Sequence, residues 1–540
     1  MSSYIIPVRI VTAENTENTE LLFEEKILQP PFRFYTEESE EKSKDDCRIK
    51  KGGYVLLDFG KEISGGIVLA VQRVINQASN IRIVFGESVM EALSDLGEKN
   101  SGNYHSIRDF TVPAVSLSQQ RFGQTGFRFV KIESPDSDIL IRAVVAEADD
   151  CTAEQKGKFE CNDELLNEIW KTAAYTVQLN IKDVLLEGLK RDRLVWIGDM
   201  HPEVSTVRTV FGEDSCVPKS LDFVRDNTPA GEWMNSTATY SMWWIIIHYD
   251  WYMHWGRLDY LKEQTECLKS TCDRAFNWID RDFESEPNMM EGFVDWSSKY
   301  TDSEMEGRRA ITCIAMDRAA KIFAILGDKE YEENCRRYTE RLQGECVDAV
   351  NNKRMSALTV LAGRDSRTAK EVLAGSSAEE MSCFMGYYVL IAKCLLGNAD
   401  EAVDIIREYW GGMLKMGATS FWEDFDIKWM ENSAGIDVIT PDGMKDIHGD
   451  FGKHCYKGFR HSLCHGWASG PAPFLMEQIG GIEILEAGCK KIRISPKLGD
   501  LEWVKIEYPT PYGILKVSAE KDDGKVRFTV DAPTGIEIVN

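Results

Sequence analysis

The chain has 540 residues, of which 43% are hydrophobic and 28% are charged, and its formal net charge is −25. This length exceeds what one hydrophobic core supports, so we expect several domains, and the hydrophobic content excludes a disordered protein. The negative charge argues against nucleic acid or an anionic membrane surface as a partner and favours a neutral or cationic small ligand.

The start of the chain and its cysteines predict a cytoplasmic protein. Residues 1–7 contain no positively charged apolar leader, and no apolar run approaches the ~20 residues of a membrane span. The 14 cysteines are scattered without a Cys-x-x-Cys pair. In a chain of this size such a pattern is typical of reduced thiols, and we expect no membrane partner.

Short runs of alternating apolar and polar residues fill the first part of the chain. Five of them are residues 54–58, 66–70, 81–85, 127–132 and 139–145. Many short strands at such spacing predict an N-terminal β-sandwich over residues 1–155. Residues 87–107 have mixed polarity and are predicted to form a long loop between strands.

From Asn162 the apolar residues follow helical spacing, with Asn162 or Asp163 as a suitable cap. Later helices are predicted at 203–211, 237–256, 257–281, 305–326, 329–349, 379–397, 400–414 and 460–478. Some ten to twelve helices without a short repeat favour a helical toroid over residues 156–480 rather than an α-solenoid. After Gly480 strand patterns return at 491–494, 503–506, 515–518, 526–530 and 536–539. Residues 481–540 are therefore predicted to be a small C-terminal β-domain.

The segment from Glu187 to Asp199 concentrates charged residues. It holds three carboxylates, two arginines and Trp196 within thirteen residues. Carboxylates this close repel unless cations hold them, and they push each other's pKa values apart. Arg191 and Arg193 can grip carboxylates bidentately. The alternative is a solvated loop with ordinary ion pairs.

The tryptophans favour a carbohydrate site. Thirteen of the 14 lie between Asn162 and Gly480, and most of those from 243 to 255 have the helical spacing of core residues. Trp196, Trp296 and Trp422 instead stand beside acids at predicted loop positions. An indole face next to a carboxylate suits a sugar ring, which has an apolar face and a rim of hydroxyls.

Two acids are the best candidates for glycosidic cleavage. That reaction needs one protonated acid for the leaving oxygen and one carboxylate that acts as nucleophile or activates water. Asp192 lies between arginines, which favour its ionised form, whereas nearby carboxylates and desolvation act the other way. Glu423, between Trp422 and Asp424, is the best distant partner.

Other chemistries find less support. The sequence has no Gly-x-Gly-x-x-Gly, phosphate loop or Gly-x-Ser-x-Gly elbow. Half of the eight histidines cluster late in the helical region: His448, His454, His461 and His465. His461 and His465 are four apart on a predicted helix, so zinc is an alternative. Glycines at 466 and 470 loosen that helix, and a structural or sugar-contacting role is favoured. We expect no metal and no cofactor.

Residues 187–199, Glu-Gly-Leu-Lys-Arg-Asp-Arg-Leu-Val-Trp-Ile-Gly-Asp, resemble without a gap a signature of the α-L-rhamnosidases of glycoside hydrolase family 78. That signature is Asp-Cys-Pro-x-Arg-Glu-Arg-x-Gly-Trp-x-Gly-Asp. Residues 417–426, with Gly-Ala-Thr-Ser-Phe-Trp-Glu, are similar to the family's second acidic motif, Gly-Ala-Thr-Thr-x-Trp-Glu. Residues 294–296 and 461–466 are similar to two further elements, and the tail resembles the family's closing β-domain.

The resemblance implies an (α/α)6 barrel flanked by β-domains. It also implies hydrolysis of terminal α-L-rhamnose with inversion and without a cofactor. By position, Asp192 matches the general acid and Glu423 the general base. The residues expected to bind the sugar are Glu187, Arg191, Arg193, Trp196, Asp199, Asp295, Trp296, Trp422 and His465.

Two departures from the family pattern leave alternatives open. Asp192 is one methylene shorter than the family's Glu, and Glu187 is one methylene longer than its Asp. A loss of ~1 Å in reach can cost a large factor in rate. The alternatives are another neutral or deoxy sugar, Glu187 as the acid, or a catalytically silent glycan-binding protein. We predict a monomer or homodimer that acts on rhamnosides.

Overall fold

The structure is a computed structural model that describes residues 3–32, 45–75, 79–149, 153–283, 292–296, 301–346, 350–375 and 377–540. Within those ranges the chain forms an N-terminal sheet, a helical region and two small C-terminal sheets. One large hydrophobic core fills the N-terminal sheet, and a second is shared by the helices and the C-terminal sheets. No helix in the described ranges is long and apolar enough to traverse a membrane.

The N-terminal sheet is antiparallel and is organised around one long strand. Its strands are β1 Ser3–Ile5, β2 Arg9–Glu17, β3 Cys47–Val74, β4 Asn80–Gly86, β5 Asp109–Pro113, β6 Ser118–Ser134 and β7 Ile139–Ala148. They are ordered β1-β7-β3-β6-β4-β5, and β2 pairs with β3. All five runs predicted to be strands are confirmed, because alternate residues such as Ile67, Leu69 and Val71 enter one core.

Residues 87–108, which we call the bridging segment, leave this sheet between β4 and β5. The sequence predicts a loop here, but the segment contains a short helix, α1 Val89–Leu93, capped by the side chain of Ser88. Further along, Ser106 Oγ donates to the backbone carbonyl of Lys190 at 3.2 Å. The bridging segment therefore connects the N-terminal sheet to the helical region.

The middle of the chain is helical. The helices are α2 Glu164–Asn180, α3 Met200–Thr206, α4 Cys216–Asn227, α5 Ala238–Trp255, α6 Leu258–Glu263, α7 Thr265–Asp280, α8 Asp302–Leu326, α9 Lys329–Gly344, α10 Lys353–Leu361, α11 Arg367–Val372, α12 Gly386–Leu395, α13 Ala399–Lys415 and α14 Pro471–Phe474. The predicted cap is confirmed, since the Asp163 carboxylate accepts from the N–H groups of Leu165 and Leu166. Helix α5 is buried on nearly every side, which confirms that its tryptophans belong to the core.

The predicted helix at 460–478 is wrong in its first half. Residues 461–465 are not helical, and α14 begins only at Pro471. Proline lacks an N–H group and is tolerated only in the first turn of a helix, so Pro471 and Pro473 place the start there. As a result, His461 and His465 do not share a helix face. Helices α4, α10 and α11 are not predicted from the sequence.

Two small sheets follow the helices. The first contains β11 Ile482–Glu486, β12 Lys491–Ile494 and β16 Glu537–Val539, and the second contains β13 Trp503–Thr510, β14 Gly513–Asp522 and β15 Lys525–Asp531. All the C-terminal strands predicted from the sequence are present. The edge strand of the second sheet is β8 Lys158–Cys161, which lies just before α2 and pairs with β13. Two short strands, β9 Ser433–Ala434 and β10 Lys445–Asp446, pair in the connection between α13 and α14.

Candidate active site

A cavity of about 290 Å³ lies among the loops of the helical region. Three residues predicted to form the site line it: Asp295, Trp296 and Glu423. The sequence does not identify three other lining residues, Asp424, Tyr456 and Trp467. Asp424 directly follows Glu423, and Trp467 lies two residues after His465, so proximity to known motifs is the signal that could have found them. Aromatic side chains beside carboxylates are a combination that suits a sugar ring.

Glu423 is held by the segment that contains the predicted histidine motif and by Trp467, which follows it. Its backbone N–H donates to the carbonyl of Ser462 at 3.0 Å, and Ser462 N–H donates back to Oε2 at 3.0 Å. Trp467 Nε1 donates to the carbonyl of Glu423 at 3.0 Å. Burial raises the pKa of Glu423 to about 7, against the opposing effect of Arg191. A carboxylate with that pKa is suited to act as a base near neutral pH.

Arg191 joins the two predicted catalytic carboxylates. Its Nη1 donates to Oδ2 of Asp192 at 2.7 Å, and its Nη2 donates to Oε1 of Glu423. The guanidinium also lies 5.0 Å from the ring centre of Tyr456, which lines the cavity. One buried cation thus brings together residues that are more than two hundred positions apart.

Asp192 and Arg193 lie on a strained turn. Their φ angles are 61° and 54°, in the left-handed region that residues other than glycine rarely adopt. Strained backbone of this kind concentrates at functional sites. The turn leaves Asp192 partly exposed beside the buried Arg191. Arg193 is directed elsewhere, since its Nη1 donates to the carbonyl of Leu189 at 3.0 Å.

Three further buried carboxyls belong with Glu423 to one electrostatically linked group, because Asp199 interacts with Glu423 and both Glu187 and Glu203 interact with Asp199. We call these four residues the acid cluster: Glu187, Asp199, Glu203 and Glu423. Glu187 Oε2 accepts from the N–H of Leu194 at 2.8 Å, and Asp199 Oδ1 accepts from the hydroxyl of Tyr240 at 2.5 Å. Neither oxygen of Glu203 has a hydrogen-bond partner among the described residues.

Burial dominates the titration of the acid cluster. It raises the pKa of Asp199 to about 8 and holds the pKa values of Glu187 and Glu203 well above the usual range. His465 Nε2 lies 3.7 Å from Glu423 Oε1 and 4.0 Å from Asp199 Oδ2. Burial holds the pKa of His465 well below its usual value, so the imidazole is neutral. Glu203 is absent from the predicted site, although its spacing of four residues from Asp199 places both on one helix face.

Asp295 is fixed by three donors. Its Oδ2 accepts from Arg354 Nη1 and from the Ser382 hydroxyl, each at 2.8 Å, and its Oδ1 accepts from the N–H of Trp296 at 2.8 Å. The Trp296 ring meets Tyr456 edge to face at 5.2 Å. These contacts hold a carboxylate and an indole together at the cavity wall.

Two of the predicted sugar-binding tryptophans do not line the cavity. Trp422 is only 1% exposed and packs edge to face against Phe425 at 5.6 Å. Trp196 packs edge to face against Tyr240 at 6.1 Å. Glu423, which follows Trp422, lines the cavity, whereas the Trp422 indole lies in the core and the partly buried Trp196 indole packs against it.

The alternative of a zinc site at His461 and His465 finds no geometric support. Among the described residues, one group has ligand atoms close enough for a metal ion, and it is Glu87, Glu91 and His448. Lys190 Nζ already lies within this group, 3.0 Å from Glu87 and 3.2 Å from Glu91. With Arg108, which is 3.4 Å from Glu91, these residues form what we call the interface cluster.

One contact to Asp192 comes from outside the helical region. His105 Nδ1, in the bridging segment, lies 3.1 Å from Asp192 Oδ1. A single histidine in a predicted loop carries no sequence signal for such a role, and the sequence does not identify it.

Family models match two parts of the chain. Residues 154–371 match the bacterial α-L-rhamnosidase 6 hairpin glycosidase domain, and residues 481–539 match the bacterial α-L-rhamnosidase C-terminal domain. Together the two models cover just over half of the chain. A curated α-L-rhamnosidase of Formosa agariphila is 22% identical over 543 residues, covering 90% of this chain and 55% of the relative. The chain therefore spans about half the length of the curated relative that it matches.

Solved rhamnosidase structures share the fold. The family 78 rhamnosidase of Bacillus sp. GL1 has a TM-score of 0.72 at 19% identity, covering 90% of this chain and 52% of that one. A rhamnosidase from Klebsiella oxytoca with rhamnose bound has a TM-score of 0.65 at 18% identity, covering 88% of this chain and 95% of that one. These neighbours support a multidomain arrangement of a helical domain with β-domains.

Proposed function

Because the chain belongs to the α-L-rhamnosidases of glycoside hydrolase family 78, we propose that it hydrolyses terminal α-L-rhamnosides by an inverting acid and base mechanism. The observation that carries the proposal is the pairing of Asp192 and Glu423 on one guanidinium, that of Arg191, beside the cavity. Inversion requires two carboxyl groups with room between them for a water molecule.

Glu423 acts as the general base in this proposal. It lines the cavity, and its pKa of about 7 makes it a competent proton acceptor for water near neutral pH. Trp296, Tyr456 and Trp467 line the same cavity and offer aromatic faces. Rhamnose is a 6-deoxy sugar, so its methyl group and apolar ring face suit such walls.

Asp192 acts as the general acid. Its side chain is 22% exposed, whereas Glu187 is 2% exposed and uses Oε2 to accept from the N–H of Leu194. A proton donor must reach the leaving oxygen, so these positions favour Asp192 over Glu187. Glu187, Asp199 and His465 then shape the polarity behind the sugar. We assign Arg191 and Asp295 to positioning, because each is fixed by several hydrogen bonds at or near the cavity wall.

We propose further that the helices form an (α/α)6 barrel between two β-sandwich domains. The six-hairpin description of the family model that matches residues 154–371 supports the barrel. The division into 1–155, 156–480 and 481–540 stays a prediction, as do the monomeric or dimeric state and the cytoplasmic location. No cofactor takes part in the proposed reaction.

The test compares wild type with Glu423→Gln and Asp192→Asn on p-nitrophenyl α-L-rhamnoside. Each variant should lower kcat by about 10²- to 10⁴-fold, the range for loss of an acid or base. Glu477→Gln is the matched control, since Glu477 accepts from Arg208 at 2.9 Å in a partly buried pair and does not line the cavity. It should keep kcat near the wild-type value. NMR of the first product formed should show the inverted anomer.

Other outcomes discriminate the alternatives. If neither variant slows release of p-nitrophenol, the assigned roles are wrong. Turnover of a different aryl glycoside, with no action on rhamnosides, would identify another neutral or deoxy sugar as the substrate. Rhamnose binding without turnover of any aryl glycoside would identify a glycan-binding protein.

A further inference from the structure

The bridging segment places a histidine from the N-terminal sheet against the proposed acid. His105 Nδ1 and Asp192 Oδ1 are 3.1 Å apart, with side chains that are 43% and 22% exposed. Resting on the function proposed above, we propose that His105 is a positioning residue for the acid. It donates Nδ1–H to Asp192 and holds the carboxyl in the orientation from which the proton is transferred.

Arg191 holds one oxygen of Asp192 by a hydrogen bond, and in this proposal His105 holds the other. Oδ2 accepts from Arg191 Nη1 at 2.7 Å, and Oδ1 faces His105. A carboxyl held at both oxygens cannot turn about its Cβ–Cγ bond without breaking a hydrogen bond. Since Asp is one methylene shorter than the Glu of the family pattern, a fixed orientation matters more here than it would for the longer side chain.

The residues on either side of His105 are themselves anchored. The ring of Tyr104 lies 4.7 Å from the guanidinium of Arg460, and Ser106 Oγ donates to the carbonyl of Lys190, two residues before Asp192. These contacts tie the bridging segment to the same stretch of chain that carries the acid. The imidazole is therefore positioned by the fold, although it is itself partly exposed.

The contact becomes stronger as the reaction proceeds. Asp192 gives its proton to the leaving oxygen as the glycosidic C–O bond breaks, while water forms the new C–O bond and gives a proton to Glu423. His105 keeps its own proton throughout and donates Nδ1–H to the carboxylate that forms. Hydrogen bonds to an ionised acceptor are about twice as strong as those between neutral groups, so this one favours proton transfer.

The test uses substrates that differ in their need for an acid. His105→Ala should lower kcat on an alkyl α-L-rhamnoside by about tenfold or more, the loss expected for a hydrogen bond to a charged group. On 2,4-dinitrophenyl α-L-rhamnoside, whose leaving group departs without protonation, the loss should be less than about twofold. KM should change little on either substrate. His105→Asn, which retains an N–H donor, should recover part of the lost kcat.

Ile107→Ala is the matched control, because it removes a 65% exposed side chain of the same segment that takes no part in the anchoring contacts described above. It should affect both substrates equally or neither. An equal loss on both substrates with His105→Ala, or no loss on either, overturns the role of His105 while leaving the proposed function intact. A wild-type protein that cleaves no rhamnoside overturns the proposed function and this inference together.

Discussion

Two groups of buried charged side chains lie beside the segment from Glu187 to Asp199, and they are built differently. In the interface cluster, Lys190 lies 3.0 Å from Glu87 and 3.2 Å from Glu91. Arg108 lies 3.4 Å from Glu91. In the acid cluster, Glu423 forms an ion pair with Arg191. Among the described residues, no other lysine or arginine forms an ion pair with this cluster. The other three acids are buried without a cationic partner among the described ion pairs.

The difference in charge compensation suggests a structural role for the interface cluster and a functional role for the acid cluster. In the interface cluster, cations from both sides compensate buried carboxylates, so the cluster joins the N-terminal sheet to the segment that carries the site. Burial raises the pKa of Glu87 there, and Lys190 and Arg108 oppose that rise. In the acid cluster, burial raises the pKa of Asp199, which has no cationic partner among the described ion pairs, to about 8, and it raises the pKa of Glu423 to about 7 despite Arg191. Groups with such perturbed values cluster at functional sites.

The largest expected change in the free energy of unfolding comes from Lys190→Met, which keeps most of the side-chain volume and removes the charge. Glu87 and Glu91 would remain buried with one cation fewer, which costs about 3–5 kcal/mol of unfolding free energy. Urea denaturation measures it. Lys182→Met is the control, because Lys182 lies 3.3 Å from Asp149 in a more exposed pair and should cost less than about 1 kcal/mol. Equal losses in the two variants would contradict the structural role of the interface cluster.

The pH dependence of activity tests the acid cluster. Burial raises the pKa of Glu423 to about 7, so the base is ionised above that pH and protonated below it. We therefore expect kcat/KM on p-nitrophenyl α-L-rhamnoside to fall by about tenfold per pH unit below about 7. Rates measured from pH 5 to pH 8 check this. A profile that is flat across the range would show that Glu423 is not the base.

The smallest change in the free energy of unfolding is expected for Glu203→Gln. Burial raises the pKa of Glu203, so the folded chain keeps a proton that the unfolded chain releases above about pH 4.5. Stability is therefore lost as pH rises above that value, and glutamine avoids the loss. At pH 8 the variant should therefore be more stable than wild type.

Denaturation at pH 4 and pH 8 separates this effect from an ordinary packing change. The gain should be present at pH 8 and vanish at pH 4, where both states hold the proton. The exposed Glu330 provides the control substitution, Glu330→Gln, which should not reproduce the difference between the two pH values. A gain of equal size at both pH values would mean that Glu203 is not protonated in the folded chain.

The local spacing of apolar residues predicted most helices and strands. It did not predict which distant segments contact one another. Alternation and helical spacing identified the main strands and most helices, because both reflect one buried face of a single element. The pairing of β8 with β13 has no local pattern, since the two strands are more than 300 residues apart. The failed helix at 460–478 shows that Pro471 and Pro473 outweigh the apolar spacing around them.

For the site as well, sequence motifs identified residues, whereas contacts between distant parts of the chain did not follow from the sequence. The family resemblance is confirmed. The roles it implies for Asp192, Glu423 and Arg191 stay predictions, although Arg191 contacts both carboxylates in the structure. Trp422 was expected at the sugar, but a tryptophan beside an acid does not reveal which of the two side chains faces the cavity. His105 was missed because its role exists only through the fold of the bridging segment.

The pairing of β8 has a consequence for how the chain is made. A ribosome adds about 5–20 residues per second, so roughly 15–70 s pass between synthesis of β8 and synthesis of its partner β13. During that time the strand has no sheet to join. Asn167 on α2 accepts from the N–H of Cys161 and donates to its carbonyl, each at 2.9 Å. This local clamp can hold the end of β8 in place on the nascent chain until the last domain emerges.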